Sequence, residues 1–441
     1  VAENQPIIKH RMNNDLSSFA ARLREAIPQW PPAAHRAESA AARSAHGGFS
    51  ELALELFALQ FRCNPVYAKI CEARGLTPNS VEHWTQIPHV PTGAFKELEL
   101  SCLPPGERTA VFHSSGTTEQ KPSRHFHGVE SLAVYEMSLW TWFAKNVLPW
   151  RSAGGSPACS QVPGGTGFQP VKSGILPDFE RTQTARTSTR SARTEHPDRS
   201  AGGSPASPMF LTPPPGQAPH SSLVHMFETV RENTRGPEIA GAFFGHITSD
   251  GTWTIHFDAA LRKLESACAA SEPLLLLGTA FSFVHLLDFL AEQHRQFALP
   301  VGSRVMETGG YKNRSRVLPK SELHGLITQR LGIAREDILC EYGMSELSSQ
   351  AYDSAIEPPT AIRHRRVFRF PPWARVQIVS PETVREVADG ETGLIRIFDL
   401  ANVFSVAAIQ TEDLGIRHGD GFELIGRAQL AEPRGCSLMT A

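Results

Sequence analysis

Between Pro208 and Leu347 short apolar runs alternate with amphipathic stretches, and this rhythm limits the fold more than any other feature of the chain. "PMFLT", "LLLLGTAF", "VGSRVMETGG" and "DILCEYG" read as strands, while "SSLVHMFETVREN" and "ELHGLITQRLGI" read as helices. A strand that is apolar at successive positions needs cover on both faces, so the alternation predicts an α/β fold with a largely parallel sheet. The most apolar stretch, Pro273 to Ala291, holds His285, Asp288 and a Gly-Thr break. It reads as strand Leu274–Leu277, a turn and an amphipathic helix, not as a membrane span.

Upstream the chain reads helical, first in "NNDLSSFAARLREAI" with an Asp/Ser start. A second helix follows, with Ser50 as N-cap and Glu51 in its first turn, and a third after Pro65. "TAVFH" is a short strand, and "HGVESLAVYEMSLWTWFAKNVLP" a helix with aromatics on one face whose apolar side chains form core or part of an acyl pocket. From Arg365 on, short β-like runs split by turns predict a smaller β subdomain. The expected division is therefore a helical region at 1–90, an α/β core at 91–364 and a β-rich subdomain with tail at 365–441. Residues 151–208 interrupt the core. "RSAGGSPA" occurs there twice, flanking an Arg/Thr/Ser-rich stretch too poor in apolar residues to offset chain entropy, so a disordered insertion is expected.

Composition narrows the function classes. A net charge of −2 points neither to nucleic acid nor to an anionic membrane. Seven scattered cysteines without a C-x-x-C pair fit a reducing compartment, and no signal-peptide core opens the chain, so a cytoplasmic location is expected. Cys63, Cys71, Cys268 and Cys340 lie in apolar contexts and read as packing.

Three stretches carry chemistry. In "VFHSSGTTEQKPSRHF" a strand feeds a loop of small hydroxyl residues around Gly116, a shape that cradles phosphate through backbone N–H groups and hydroxyls, or simply turns. It is not a Walker A loop. His113, His125 and His127 flank it as metal ligands, phosphate contacts or packed imidazoles. In "EYGMSELSSQAYD", Ser345 and Glu346 follow a Tyr-Gly turn, either as a phosphate and Mg²⁺ pair or as a helix cap. In "IQTEDLGIRHGDGFELIGR", Asp413 suits ribose hydroxyls and Arg427 a phosphate, or the stretch is a Gly/Asp hairpin with surface charges.

The order of these stretches resembles that of AMP-forming acyl ligases. Together with "TGAFKELEL", "TPPPGQAPHSSLVHM", "METGGYKNRSR", "DLANVFSVAAIQTEDLG" and "GFELIGRAQLAEPRGCSL", the chain from about Pro91 onward resembles LuxE-type acyl-protein synthetases, relatives of phenylacetate-CoA ligase. The resemblance implies the large domain of the adenylate-forming fold, with the mobile C-terminal domain absent or vestigial. It implies ATP and Mg²⁺ as cofactors. Ser114, Ser115, Gly116, Thr117 and Thr118 would cradle the phosphates, and Gly309 and Gly310 would lie by the adenine. Tyr342 would stack on the adenine, Ser345 would touch the α-phosphate, Glu346 would hold Mg²⁺, Asp413 would bind ribose and Arg427 would lie near the nucleotide. The activity implied is activation of a carboxylic acid, of fatty type, as acyl-AMP. The acyl group would then pass to a cysteine and on to a partner such as an acyl reductase or acyltransferase.

Glu119 departs from the family loop, which has Gly there, and Lys121-Pro122 reverses the usual order. With no C-terminal-domain lysine, Lys312, Arg314 or Arg434 would supply the adenylation cation. Cys436, in "RGCSL", is the expected acyl carrier, with Arg434 beside it to favour the thiolate. Two other readings stand beside this one: an acyl-CoA ligase of the phenylacetate type, and a non-catalytic scaffold subunit that has lost ATP chemistry.

Overall fold

The computed structural model describes residues 5–30, 48–114, 121–148, 206–234, 242–310, 316–354 and 366–428, with side chains from Asp15 onward. Residues 1–148 and 206–441 gather into one compact unit. The expected insertion lies outside the described residues up to Pro205, but its expected last residues differ: Ser207 and Pro208 already stand in a strand. The apolar "MF" that follows draws them into pairing with Leu274 and Leu275.

The strands in chain order are β1 (Val90–Pro91), β2 (Ala110–His113), β3 (Arg124–His127), β4 (Ser207–Phe210), β5 (Gly245–Ile247), β6 (Trp253–Ile255), β7 (Leu274–Thr279) and β8 (Arg304–Thr308). There follow β9 (Ile338–Tyr342), β10 (Ala351–Ser354), β11 (Val367–Arg369), β12 (Ala374–Val379), β13 (Thr392–Asp399), β14 (Ala408–His418) and β15 (Gly421–Arg427). One large mixed sheet runs β12-β13-β14-β15-β11-β10-β9-β8-β7-β4, with β1 added parallel to β14. Strands β4, β7, β8 and β9 are mutually parallel, as the alternating sequence requires. From β9 to β12 every pairing is antiparallel. The β-rich stretch after Arg366 is thus continuous with the parallel strands through β10 and β11.

Strand β7 is buried at all six positions. Leu274 and Leu276 pack with helices Phe257–Ala270, Ala280–Glu292 and Lys320–Leu331. Leu275 and Leu277 pack on the other face with Phe227 and Phe210. Each such leucine contributes about 1.5–3 kcal/mol of burial, which is why this strand tolerates no polar alternation. No turn separates β7 from its helix. Thr279 ends the strand and caps the helix, accepting the Ser282 N–H at 3.2 Å.

Helix Gln5–Ala26 starts well before the expected Asp/Ser signal, with Pro6 in the first turn where a missing N–H costs nothing. Helix Phe49–Cys63 is capped by Gly48 rather than Ser50, because Glu51 reaches back to the Gly48 N–H at 3.1 Å. Asn64 caps helix Pro65–Glu72 as Pro65 implied. Among the described residues no helix is long and apolar enough to cross a membrane.

Candidate active site

The site residues gather where the parallel strands β8 and β9 end, the usual ligand crevice of an open α/β sheet. The β2–β3 ribbon brings there Ser114 and Ser123, the described residues that flank the hydroxyl loop. Its neck is closed by two hydrogen bonds, the Ser114 N–H to the Ser123 carbonyl (3.3 Å) and the Ser123 N–H to Ser114 Oγ (2.9 Å). Ser123 Oγ then donates to Glu346 Oε1 at 2.5 Å, while Ser345 Oγ donates to Glu346 Oε2 at 3.1 Å. His125 Nδ1–H donates to the Ser345 carbonyl at 2.6 Å, which fixes the imidazole tautomer and holds the Ser-Glu turn against β3. Asn402 donates from below to the Glu346 carbonyl at 2.7 Å.

Glu346 is 4% exposed, and burial pushes its carboxyl above the ordinary range, against the Ser123 and Ser345 hydroxyls and the Lys96 ammonium. Each of its oxygens accepts one hydroxyl and keeps lone-pair capacity. A carboxylate held in this state fits a hard divalent cation such as Mg²⁺.

A second pair lies across the sheet. The Tyr342 hydroxyl donates to Asp413 Oδ2 at 2.9 Å, and the Tyr342 ring is edge-packed against Phe422, centroids 5.2 Å apart. Burial raises the Asp413 carboxyl pKa, against this hydrogen bond and the Arg427 charge. Arg427 pairs with Asp413 across the β14–β15 hairpin, Nε to Oδ1 4.0 Å, with its side chain 82% exposed. Thr308, the last residue of β8, is the register partner of Glu341 beside Tyr342, and Gly309, at φ +67°, and Gly310 follow it. A Cβ on either glycine meets nothing within 4 Å, which leaves open space beside the tyrosine.

The structure thus brings Ser114, Ser345 and Glu346 together, and Tyr342, Asp413 and Arg427 together. Ser115, Gly116, Thr117, Thr118, Glu119, Lys312, Arg314, Arg434 and Cys436 lie outside the described residues. Lys121 is ion-paired at the surface with Glu97 at 3.2 Å. His127 is 1% exposed and packs against Phe112 and Tyr135. Ser123 had no role read from the sequence, and His125, read there as a metal ligand, a phosphate contact or a packed imidazole, instead holds the Ser345 carbonyl. Ser123 immediately precedes β3 and His125 lies on it, and their partners are more than two hundred positions away.

The large mixed sheet flanked by helices is that of the adenylate-forming fold. The chain shares that fold with 2-hydroxyisobutyryl-CoA ligase solved in the postadenylation state in complex with R3-HIB-AMP (TM-score 0.54, 12% identity, 90% of this chain and 72% of that one). The same ligase with 2-HIB-AMP and CoA in the thioesterification state gives a TM-score of 0.51 at 13% identity, covering 90% and 71%. Residues 242–441 match the family model described as acyl-protein synthetase, LuxE. Two long-chain-fatty-acid–luciferin-component ligases are similar to the chain. That of Aliivibrio fischeri is 25% identical over 199 residues, 42% of this chain and 50% of that protein. That of Vibrio harveyi is 22% identical over 193 residues, 42% and 49%. Residues 242–441 are thus similar to LuxE acyl-protein synthetases, and the chain spans about half the length of the curated relatives it matches.

Proposed function

We propose that the chain activates a carboxylic acid, of fatty type, with ATP and passes the acyl group to a protein thiol. The carboxylate oxygen attacks the α-phosphorus, the bond to the β-phosphate breaks, and pyrophosphate leaves acyl-AMP. A thiolate then attacks the acyl carbon and AMP departs. Catalysis is by positioning and charge neutralisation. Ser114 to Thr118 hold the phosphates, with Gly309, Gly310, Tyr342 and Asp413 around the nucleoside, Ser345 at the α-phosphate and Arg427 at the rim. Glu346 holds Mg²⁺, which when bound neutralises phosphate charge. Lys312 supplies the adenylation cation and Cys436 carries the acyl group, for delivery to an acyl reductase or acyltransferase in the cytoplasm.

The observation that carries this reading is the Ser123 bridge, which joins the neck of the hydroxyl loop to Glu346. A phosphate loop and a cation-binding carboxylate must lie within one triphosphate's reach, and this bridge ties them.

The test is incubation with ATP, Mg²⁺ and a panel of carboxylic acids. Expected are acid-dependent pyrophosphate exchange and a hydroxylamine-labile mass adduct that Cys436→Ser removes. An adduct that survives in Cys436→Ser moves the carrier to another thiol. Pyrophosphate release that needs coenzyme A and leaves no acyl-enzyme makes the chain a CoA ligase. Absence of both ATP binding and exchange overturns the activity and leaves a scaffold.

A further inference from the structure

We propose that Glu307, His324 and Cys340 form a binding site for a divalent transition metal of the zinc class, in the face of the sheet covered by helix Lys320–Leu331. The site is separate from the ATP crevice and does not depend on the acyl-ligase reading.

Three elements supply the donors. Glu307 on β8 and Cys340 on β9 are register partners, and His324 reaches them from the helix. Glu307 Oε1 lies 2.9 Å from Cys340 Sγ and 3.5 Å from His324 Nε2, and Sγ lies 3.8 Å from Nε2. Donors bound at ~2.0–2.3 Å in a tetrahedral site stand about 3.3–3.6 Å apart, so the triangle closes on a metal with shifts of a few tenths of an ångström. All three residues are buried, at 0%, 4% and 0% exposure, and a structure this closed excludes a chance surface grouping.

A second observation points the same way. Glu307 Oε2 is buried and has no hydrogen-bond partner among the described residues. A buried carboxylate oxygen left unpaired keeps its desolvation cost, which coordination would recover. The mixed thiol, imidazole and carboxylate set suits zinc or cobalt, not Mg²⁺ or Ca²⁺. Outside the triangle, Asp353 accepts the Cys340 N–H at 2.5 Å through Oδ1 and the Arg366 guanidinium at 2.8 Å through Oδ2, which fixes the cysteine backbone.

Charge balances. Without a metal, Lys320 Nζ sits 2.9 Å from Glu307 Oε1 and neutralises it, burial keeps the Cys340 thiol protonated, and Arg366 Nη1 lies 3.9 Å from Sγ. On binding, the S–H proton leaves to solvent, a sulfur–metal bond forms, and Lys320, whose side chain is 44% exposed, turns out into water. No oxidation state changes. The bound metal would tie β8, β9 and the helix together two residues below Gly309 and Tyr342, and so brace the strand ends that frame the crevice.

The test uses the whole chain stripped with a chelator and titrated with Co²⁺. One equivalent should bind, with a thiolate-to-cobalt charge-transfer band and tetrahedral d–d bands, and Zn²⁺ should displace it. Cys340→Ser should abolish the charge-transfer band. His324→Gln should weaken Zn²⁺ binding about tenfold or more. Lys320→Met should tighten it, an effect that a purely structural ion pair cannot give. No cobalt–thiolate band in the wild-type chain overturns the site, as does a band of full intensity in Cys340→Ser. Should Cys340→Ser fail to fold, the wild-type titration and His324→Gln decide.

Discussion

At the scale of single residues, the candidate site is a set of buried polar groups that pair with one another across long sequence separations. Glu346 illustrates the logic. Burial pushes its carboxyl above the ordinary range, and two serine hydroxyls oppose that shift. Glu346→Gln keeps the shape and removes the charge, and should lower acid-dependent pyrophosphate exchange about a hundredfold. Ser123→Ala removes one charge-assisted hydrogen bond and should cost about tenfold, with the Mg²⁺ dependence shifted to higher concentration. His127 gives a different test. Burial holds its imidazole well below its ordinary pKa, and neither ring nitrogen has a hydrogen-bond partner among the described residues. The fold therefore keeps it neutral, whereas the unfolded chain binds a proton below about pH 6.5. Its contribution to stability is fully present above that pH and is lost as pH falls. His127→Phe keeps a ring in contact with Phe112 and deletes the proton site. The stability gap between variant and wild type should grow by about 1.4 kcal/mol in the variant's favour from pH 7.5 to pH 5.5 in urea titrations. A constant gap would show that His127 titrates normally. None of this was written in local sequence. Glu346 announces itself through Tyr-Gly-x-Ser-Glu, but Ser123, which bonds it, and His125, which holds the Ser345 carbonyl, lie just before and on a four-residue strand with no pattern that names their partners.

At the scale of elements, the strands and helices that carry the crevice were legible because each is locally consistent. β7, β8 and β9 read as apolar runs, and helices Val129–Val147 and Ser222–Asn233 as amphipathic ones. The misreadings fall at junctions. A turn was expected after Leu277, yet Gly278 continues the strand and Thr279 serves as both its last residue and the cap of the next helix. The Thr279 and Ser282 hydroxyls also lie 2.6 Å apart. Propensity alone cannot separate a Gly-Thr turn from a strand that feeds a helix directly, because the deciding contact is the close approach of Gly278 to Leu211 on a distant segment. A Cβ on Gly278 would lie 2.9 Å from Leu211 Cβ. Thr279→Ala should therefore destabilise the chain by about 1–2 kcal/mol through the lost cap, and Thr279→Ser should restore most of it. Urea midpoints for the two variants check this, and equal losses in both would mean that the methyl group and not the hydroxyl matters.

At the scale of the molecule, pairing order was the least legible property, since β9 leads to β10 and β11 antiparallel and then to β15, pairings that no single stretch specifies. The interruption between Leu148 and Ala206 raises the sharpest question of this kind. Its two anchor points can be placed from the described residues. The Val147 carbonyl accepts from Arg304 Nη1 at 3.0 Å, and Arg304 is the register partner of Leu275. Ser207 is the register partner of Leu274 on the other side of β7, and its N–H bonds to the Pro273 carbonyl at 2.9 Å. Both anchors therefore lie at the same end of β8, β7 and β4. A Gly/Ser linker of about eight residues has a root-mean-square span of ~15 Å, about three strand spacings. Replacing residues 149–205 with such a linker should keep β4 beside β7. It should also reduce loop-closure entropy by about 1.5–2 kcal/mol, because the link becomes roughly sevenfold shorter. The expected outcome is a melting temperature equal to or above that of the full chain, with acid-dependent pyrophosphate exchange retained. A loss of folding would show that residues 149–205 supply contacts the compact unit needs. A stable chain without exchange would show instead that they take part in the chemistry.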